Sequence, residues 1–212
     1  MANFNATENL DLGLLEVKVL LRYAAKNRKS LEKYGLFNKS AIILLSTKFE
    51  CFIEDILAEY VYEYCSKCGK DSIDAAILTG LSDRILDDVF TIHNNVEKRE
   101  KKLILLQQLA RLYLDDGCNF SDYVMTIKFA LGKHGEQQIK KLFLRCGLDD
   151  FHTHAEASGF YENLNSLISI RNNIIHEDAT PSLTEEDVKK HIDEIENFSL
   201  ALDSECFSRI PV

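Results

Sequence analysis

Three side chains late in this 212-residue chain carry groups suited to work on a phosphate: Arg171, Asn172 and His176. A guanidinium stays charged and presents a planar fork that matches two phosphate oxygens. An imidazole titrates at about 6.5 when unperturbed, so it can take or give a proton near neutral pH. Asn172 can orient that ring or donate to the same phosphate. A fixed cation facing developing negative charge, with a proton carrier beside it, suffices in principle for a transesterification without metal.

The trio lies in Leu164–His176, LNSLISIRNNIIH, which reads as the end of an amphipathic helix. Leu164, Leu167, Ile168, Ile174 and Ile175 recur at helical spacing, and Arg171 falls on their stripe. A guanidinium on a buried-looking face is costly unless something pairs with it. Asn172 and His176 are four apart and share a face. Arg171 and His176 are separated by roughly 140° and 7.5 Å on a regular helix, so one helix does not bring them into a tight pair. The structural reading is that Arg171 pairs with an acid and His176 serves the helix C-terminus, where cations are favoured.

Arg171-Asn172 followed by His176 resembles the signature of the HEPN superfamily: an Arg, four to six residues, then a His, with a polar residue favoured after the Arg. Ala41–Tyr60, AIILLSTKFECFIEDILAEY, resembles the long apolar second helix of the RiboL-PSP-like branch, with an aromatic-flanked acid at Glu50. His134–Leu148 resembles an insert in related proteins. The resemblance spans about residues 36–205.

It implies an antiparallel helical bundle and a metal-independent endoribonuclease in which the RNA 2′-OH attacks the phosphate, leaving a 2′,3′-cyclic phosphate and a 5′-hydroxyl. It implies a homodimer, two copies of the motif meeting across a two-fold axis, and no cofactor. It assigns His176 to proton transfer, Arg171 and Asn172 to the phosphate, and Glu50 to a supporting salt bridge with Arg171. It suggests a toxin or phage-defence setting with an antitoxin or defence-system partner. Some toxins of the superfamily carry a modifiable Tyr two residues after the His; this chain has Asp178 there.

The elements that must hold these residues read as all-α. Residues 7–29 predict a first helix with Leu12, Leu15, Val19 and Tyr23 on its apolar stripe, widened by Leu20 and Leu21, and Gly35 a break after it. Residues 39–64 predict a long second helix on Phe49, Phe52, Ile53, Ile56, Leu57 and Tyr60. A short helix over 72–78 closed by Gly80 follows, then helices over 83–95, 101–114, 120–131 and 136–146. Gly147 stands just past the last of these, where glycine commonly ends a helix. The motif helix should run from Ala157 to His176, and 177–183 should be a loop holding Pro181. A last helix begins at the overlapping cap signals Ser182/Glu185 and Thr184/Asp187 and turns Val188, Ile192, Ile195 and Leu202 inward. The domain is a single one over 1–212, with a core of about 7–64 and 157–206 and an inserted helical layer over about 68–150.

Composition bounds the partners. Net charge is −9 and the basic patches, Lys26 to Lys33 and Lys98 to Lys102, are local, so a nuclease reading implies a small site and not a long binding track. No apolar run reaches the length of a membrane span, and the start lacks a signal-peptide layout, which points to a cytoplasmic protein. The six cysteines are then expected reduced. Cys65 and Cys68 have the spacing of half a zinc knuckle without a second pair, so no metal site is assigned. His152 and His154 read as loop residues, and His93, His134 and His191 have no assignable partners. Two functions stand open: the endoribonuclease, and a non-catalytic HEPN-like module for binding or dimerisation with a structural Arg–His pair. The acidic balance favours the second.

Overall fold

The computed structural model describes residues 3–92, 98–115, 117–123, 125, 127–133, 135–176 and 182–211. Among them are eight α-helices and no strand: α1 Asn5–Lys26, α2 Leu31–Lys67, α3 Ala75–Ile92, α4 Arg99–Leu114, α5 Gly135–Arg145, α6 Asp149–Ala157, α7 Phe160–His176 and α8 Glu185–Arg209. Short 3-10 turns occupy Phe120–Asp122 and Leu131–Lys133. The all-α class is as expected. Residues 177–181 of the expected 177–183 loop, Asp178 and Pro181 among them, and also His93 and His134, lie outside the described residues.

The 37-residue α2 is the axis of the molecule, about 55 Å long. It packs against α1, α7 and α8. No proline interrupts it. The break expected at Gly35 does not occur. One glycine costs a helix only about 1 kcal/mol, and the face that follows it is buried from Asn38 to Cys65. The chain turns earlier instead, where Ser30 N–H donates to Asn27 O at 2.8 Å.

α1 is turned over relative to expectation. Leu10, Leu14, Val17, Leu21 and Ala24 are buried, while Leu12, Leu15, Val19 and Tyr23 are 63, 54, 42 and 50% exposed. Both sets have helical spacing, and the small and polar residues between them decide. Gly13 lets α1 approach α2 so closely that its β-carbon would lie within 3.0 Å of the Lys48 stem. The Thr7 hydroxyl donates to Asp203 Oδ1 of α8 at 2.7 Å. Asp203 also accepts the N–H groups of Asn3 and Phe4, and Glu59 of α2 accepts that of Asn5 at 2.9 Å. Two carboxylates thus satisfy donors at the α1 N-terminus that a helix cannot satisfy itself.

The core centres on Phe198 of α8. It stacks on Phe160 of α7 at 3.7 Å and 10°, and its ring lies 5.6–6.3 Å from those of Phe49, Phe143 and Phe151. Five helices therefore meet at one aromatic cluster. α8 begins at a capping box formed by Thr184 and Asp187, and Val188, Ile192, Ile195 and Leu202 face inward as expected.

Between residues 68 and 160 the boundaries differ from expectation in three places. α3 runs through Gly80, where a β-carbon would overlap the Met125 methyl and lie 3.1 Å from Arg145 O; this glycine serves close packing, not termination. Gly159, at φ +75°, moves the start of the motif helix from the expected Ala157 to Phe160, and the segment before it, expected as a loop at His152 and His154, forms the separate helix α6. His152 and His154 thereby fall on a helix, with His152 Nδ1 2.9 Å from Tyr161 Oη. The α-helix expected over 120–131 does not form among the described residues, which hold only the two 3-10 turns at its ends. After the turn at Phe120–Asp122 the backbone leaves extended at Tyr123, and the described residues beyond form a strand-like segment: Met125, Ile127, Phe129 and Leu131 are buried, and Lys128 and Ala130 are exposed. That is the two-residue alternation of a strand, with no strand beside it among the described residues.

Candidate functional site

α7 is anchored at its start and opens toward its end. Phe160, Tyr161, Leu164 and Leu167 are buried; Ile168, Ile170, Arg171, Asn172 and Ile174 are half-buried; Ile175 and His176 are exposed. The expected stripe therefore fails at Ile175, because the last turn outruns the core. Two contacts hold the outer face of α7 to α5. Asn165 Nδ2 donates to Glu136 Oε2 at 2.7 Å, and Gly135 meets Ile168 with no room for a β-carbon. Hydrogen bonds from Asn165, and then from Lys140, hold the Glu136 carboxyl below the usual carboxylate range.

Arg171 Nη1 donates to Asn172 Oδ1 at 3.1 Å, and Asn172 Nδ2 reaches Gly132 O at 3.4 Å. The guanidinium comes up against Gly132 of the Leu131–Lys133 turn. A β-carbon on Gly132 would overlap Nη1 and stand 3.3 Å from Cζ.

Glu50 arrives at the same turn from α2. Its Oε1 accepts Leu131 N–H at 2.7 Å. One helical turn on, Glu54 accepts Phe129 N–H at 2.8 Å and faces Lys128 at 3.3 Å. Gln138 Oε1 accepts Ala130 N–H at 3.1 Å. The expected salt bridge between Glu50 and Arg171 is absent among the described residues. A lone extended segment leaves backbone donors that are costly to bury, and the α2 carboxylates answer them. Glu50 supports Arg171 at one remove, by fixing the turn on which the guanidinium rests.

The structure thus brings Arg171, Asn172 and Glu50 to one turn, and leaves His176 apart at the helix end. His176 has no hydrogen bond or ion pair among the described residues. The sequence reading missed Gly132, Glu54 and Gln138; the signal was the alternation in MTIKFAL, residues 125–131. Among the described residues no group of three His, Cys, Asp or Glu side chains is poised for a metal, and no helix is long and apolar enough to cross a membrane. A groove of about 380 Å³ between α1 and α8 is lined by Lys18, Arg22, Glu185, Lys189 and Asp193, away from α7.

A family model described as RiboL-PSP-HEPN matches residues 14–207. The chain belongs to the RiboL-PSP-HEPN family. The match runs unbroken from α1 into α8, so Glu50, the extended segment, the Gly132 turn and the whole of α7 fall inside it. Searches of curated proteins and of solved structures each found no match. Membership of this HEPN family agrees with the all-helical fold.

Proposed function

We propose that this HEPN protein is a metal-independent endoribonuclease acting as a homodimer, in the setting of a toxin or phage-defence effector. The observation that carries the reading is the braced Arg171–Asn172 pair, held by a glycine turn that Glu50 fixes, within a RiboL-PSP-HEPN match. A half-buried guanidinium already oriented by Asn172 and the Gly132 turn suits electrostatic stabilisation of a phosphorane.

In the reaction, neutral His176 takes the proton of the 2′-OH as that oxygen bonds to phosphorus. The bond from phosphorus to the 5′-oxygen breaks, and the leaving oxygen takes a proton from the protonated imidazole of the partner's His176. Arg171 holds the non-bridging oxygens. A two-fold arrangement suits the geometry, since His176 and Arg171 of one protomer point to different sides of α7.

The test is cleavage of RNA in excess EDTA, with His176→Ala and Arg171→Ala alongside and mass analysis of the new ends. The reading expects cutting to 2′,3′-cyclic phosphate ends by the wild type and its loss in both variants. Full cleavage by His176→Ala would sink it. A second reading, a non-catalytic binding or dimerisation module, is favoured by the net charge of −9 and by the engagement of Arg171 with its own neighbour. No cutting, with a lowered melting temperature in Arg171→Ala, would support that module.

A further inference from the structure

The outward face of α1 is an apolar stripe left exposed in the described structure except where Tyr23 meets Phe37. At about 100° per residue, Leu12, Leu15, Val19 and Tyr23 fall within a sector of roughly 80°, opposite the buried face. Tyr23 extends it by stacking on Phe37 at 5.6 Å.

Charge along α1 is sorted by sign. The acids Glu8, Asp11 and Glu16 all precede the bases Lys18, Arg22 and Lys26. At the middle the charges are used internally, Glu16 with Lys48 and Lys18 with Glu196. At the two ends Glu8, Asp11, Arg22 and Lys26 are exposed and in no ion pair among the described residues. Glu8 and Lys26 are about five helical turns apart and share one direction on the helix.

We propose that this face is a self-association surface whose occupant is α1 of a second copy, packed antiparallel across a two-fold axis near Val17. In that pairing Leu15 of one protomer faces Val19 of the other, and Glu8 and Asp11 meet Lys26 and Arg22. Each acidic end finds a basic end, and the apolar middle closes on itself. A two-fold contact of this kind uses one patch on both protomers and must be self-complementary, which this patch is. A parallel pairing would set Glu8 against Glu8. The surface is separate from the motif on α7 and does not depend on the nuclease reading. Where both surfaces pair, the assembly exceeds a dimer.

The experiment is sedimentation equilibrium on the full chain, with Leu15→Glu/Val19→Glu, Glu8→Lys/Asp11→Lys and Arg22→Glu/Lys26→Glu. All six positions are exposed, so each variant is expected to keep the wild-type circular dichroism. The apolar double variant should weaken association at least about a hundredfold, taking a dimer to monomers or a larger assembly to dimers. Each charge-reversed variant should associate poorly alone, and an equimolar mixture of the two should recover wild-type affinity. A monomeric wild type at about 100 µM overturns the proposal. So does an assembly indifferent to Leu15→Glu/Val19→Glu, or a mixture that recovers nothing. RNA cleavage scored on the same samples reports separately on the active-site reading.

Discussion

Gly132 leaves no room for a β-carbon beside Arg171: the added atom would overlap Nη1 and lie 3.3 Å from Cζ. The obstructing atom is the far end of a flexible side chain, so the fold can give way there by moving the guanidinium. Gly132→Ala is therefore expected to cost less than about 1 kcal/mol of stability. RNA cleavage should fall about tenfold or more, since a misplaced charge stabilises the transition state poorly. Urea unfolding and cleavage rate, measured on the same variant, check this; equal losses in both would contradict it.

Glu50 and Glu54 stand in for a missing strand. Glu50→Ala leaves Leu131 N–H without its acceptor in a part-buried place, with an expected loss of about 1–3 kcal/mol. Glu50→Gln keeps an acceptor and should lose less. Amide exchange at Leu131 is the direct readout: it should accelerate in the alanine variant and stay near wild type in the glutamine one.

Asp203→Ala removes the acceptor for Asn3, Phe4 and Thr7 together. Loss of a helix N-terminal acceptor costs about 0.5–2 kcal/mol, and this one serves three donors, so the upper end is expected. Exchange should rise first in the opening turns of α1 while the Phe198 cluster stays protected. Uniform loss of protection would mean that α1 does not open on its own.

His191 is buried on α8, and burial, with Lys190 nearby, lowers its pKa from the ordinary 6.5 against a smaller opposing pull from Asp187. The unfolded chain therefore binds this proton more readily than the folded one. Stability from this group is complete above about pH 6.5 and falls as pH drops toward the lowered value, by at most about 1.4 kcal/mol per pH unit. Urea midpoints at pH 7.5 and 5.5 should differ more in the wild type than in His191→Phe. Parallel slopes would exclude His191 as the source.

The inner face of α8 was legible because Val188, Ile192, Ile195 and Leu202 form a single stripe with one side to bury. On α1 two stripes competed, and what chose between them, Gly13 against Lys48 and Thr7 against Asp203, involves residues 35 and 196 positions away. The alternation of Met125, Ile127, Phe129 and Leu131 was readable, but it was short and flanked by helical patterns. Arg171, Asn172 and His176 could be placed on one helix from spacing alone. That Arg171 rests on Gly132, 39 positions earlier, and that Glu50 meets Leu131 instead of Arg171, are long-range facts without a local trace.

The extended segment has one more consequence. A solitary strand-like stretch normally offers a template to which another chain can hydrogen-bond. Here the N–H groups of Phe129, Ala130 and Leu131 are already taken by Glu54, Gln138 and Glu50. Two of those acceptors sit one turn apart on a helix that must stay intact for the core to exist. Residues 129–131 are thus closed to strand addition for as long as α2 is folded, and would become adhesive only when it is not.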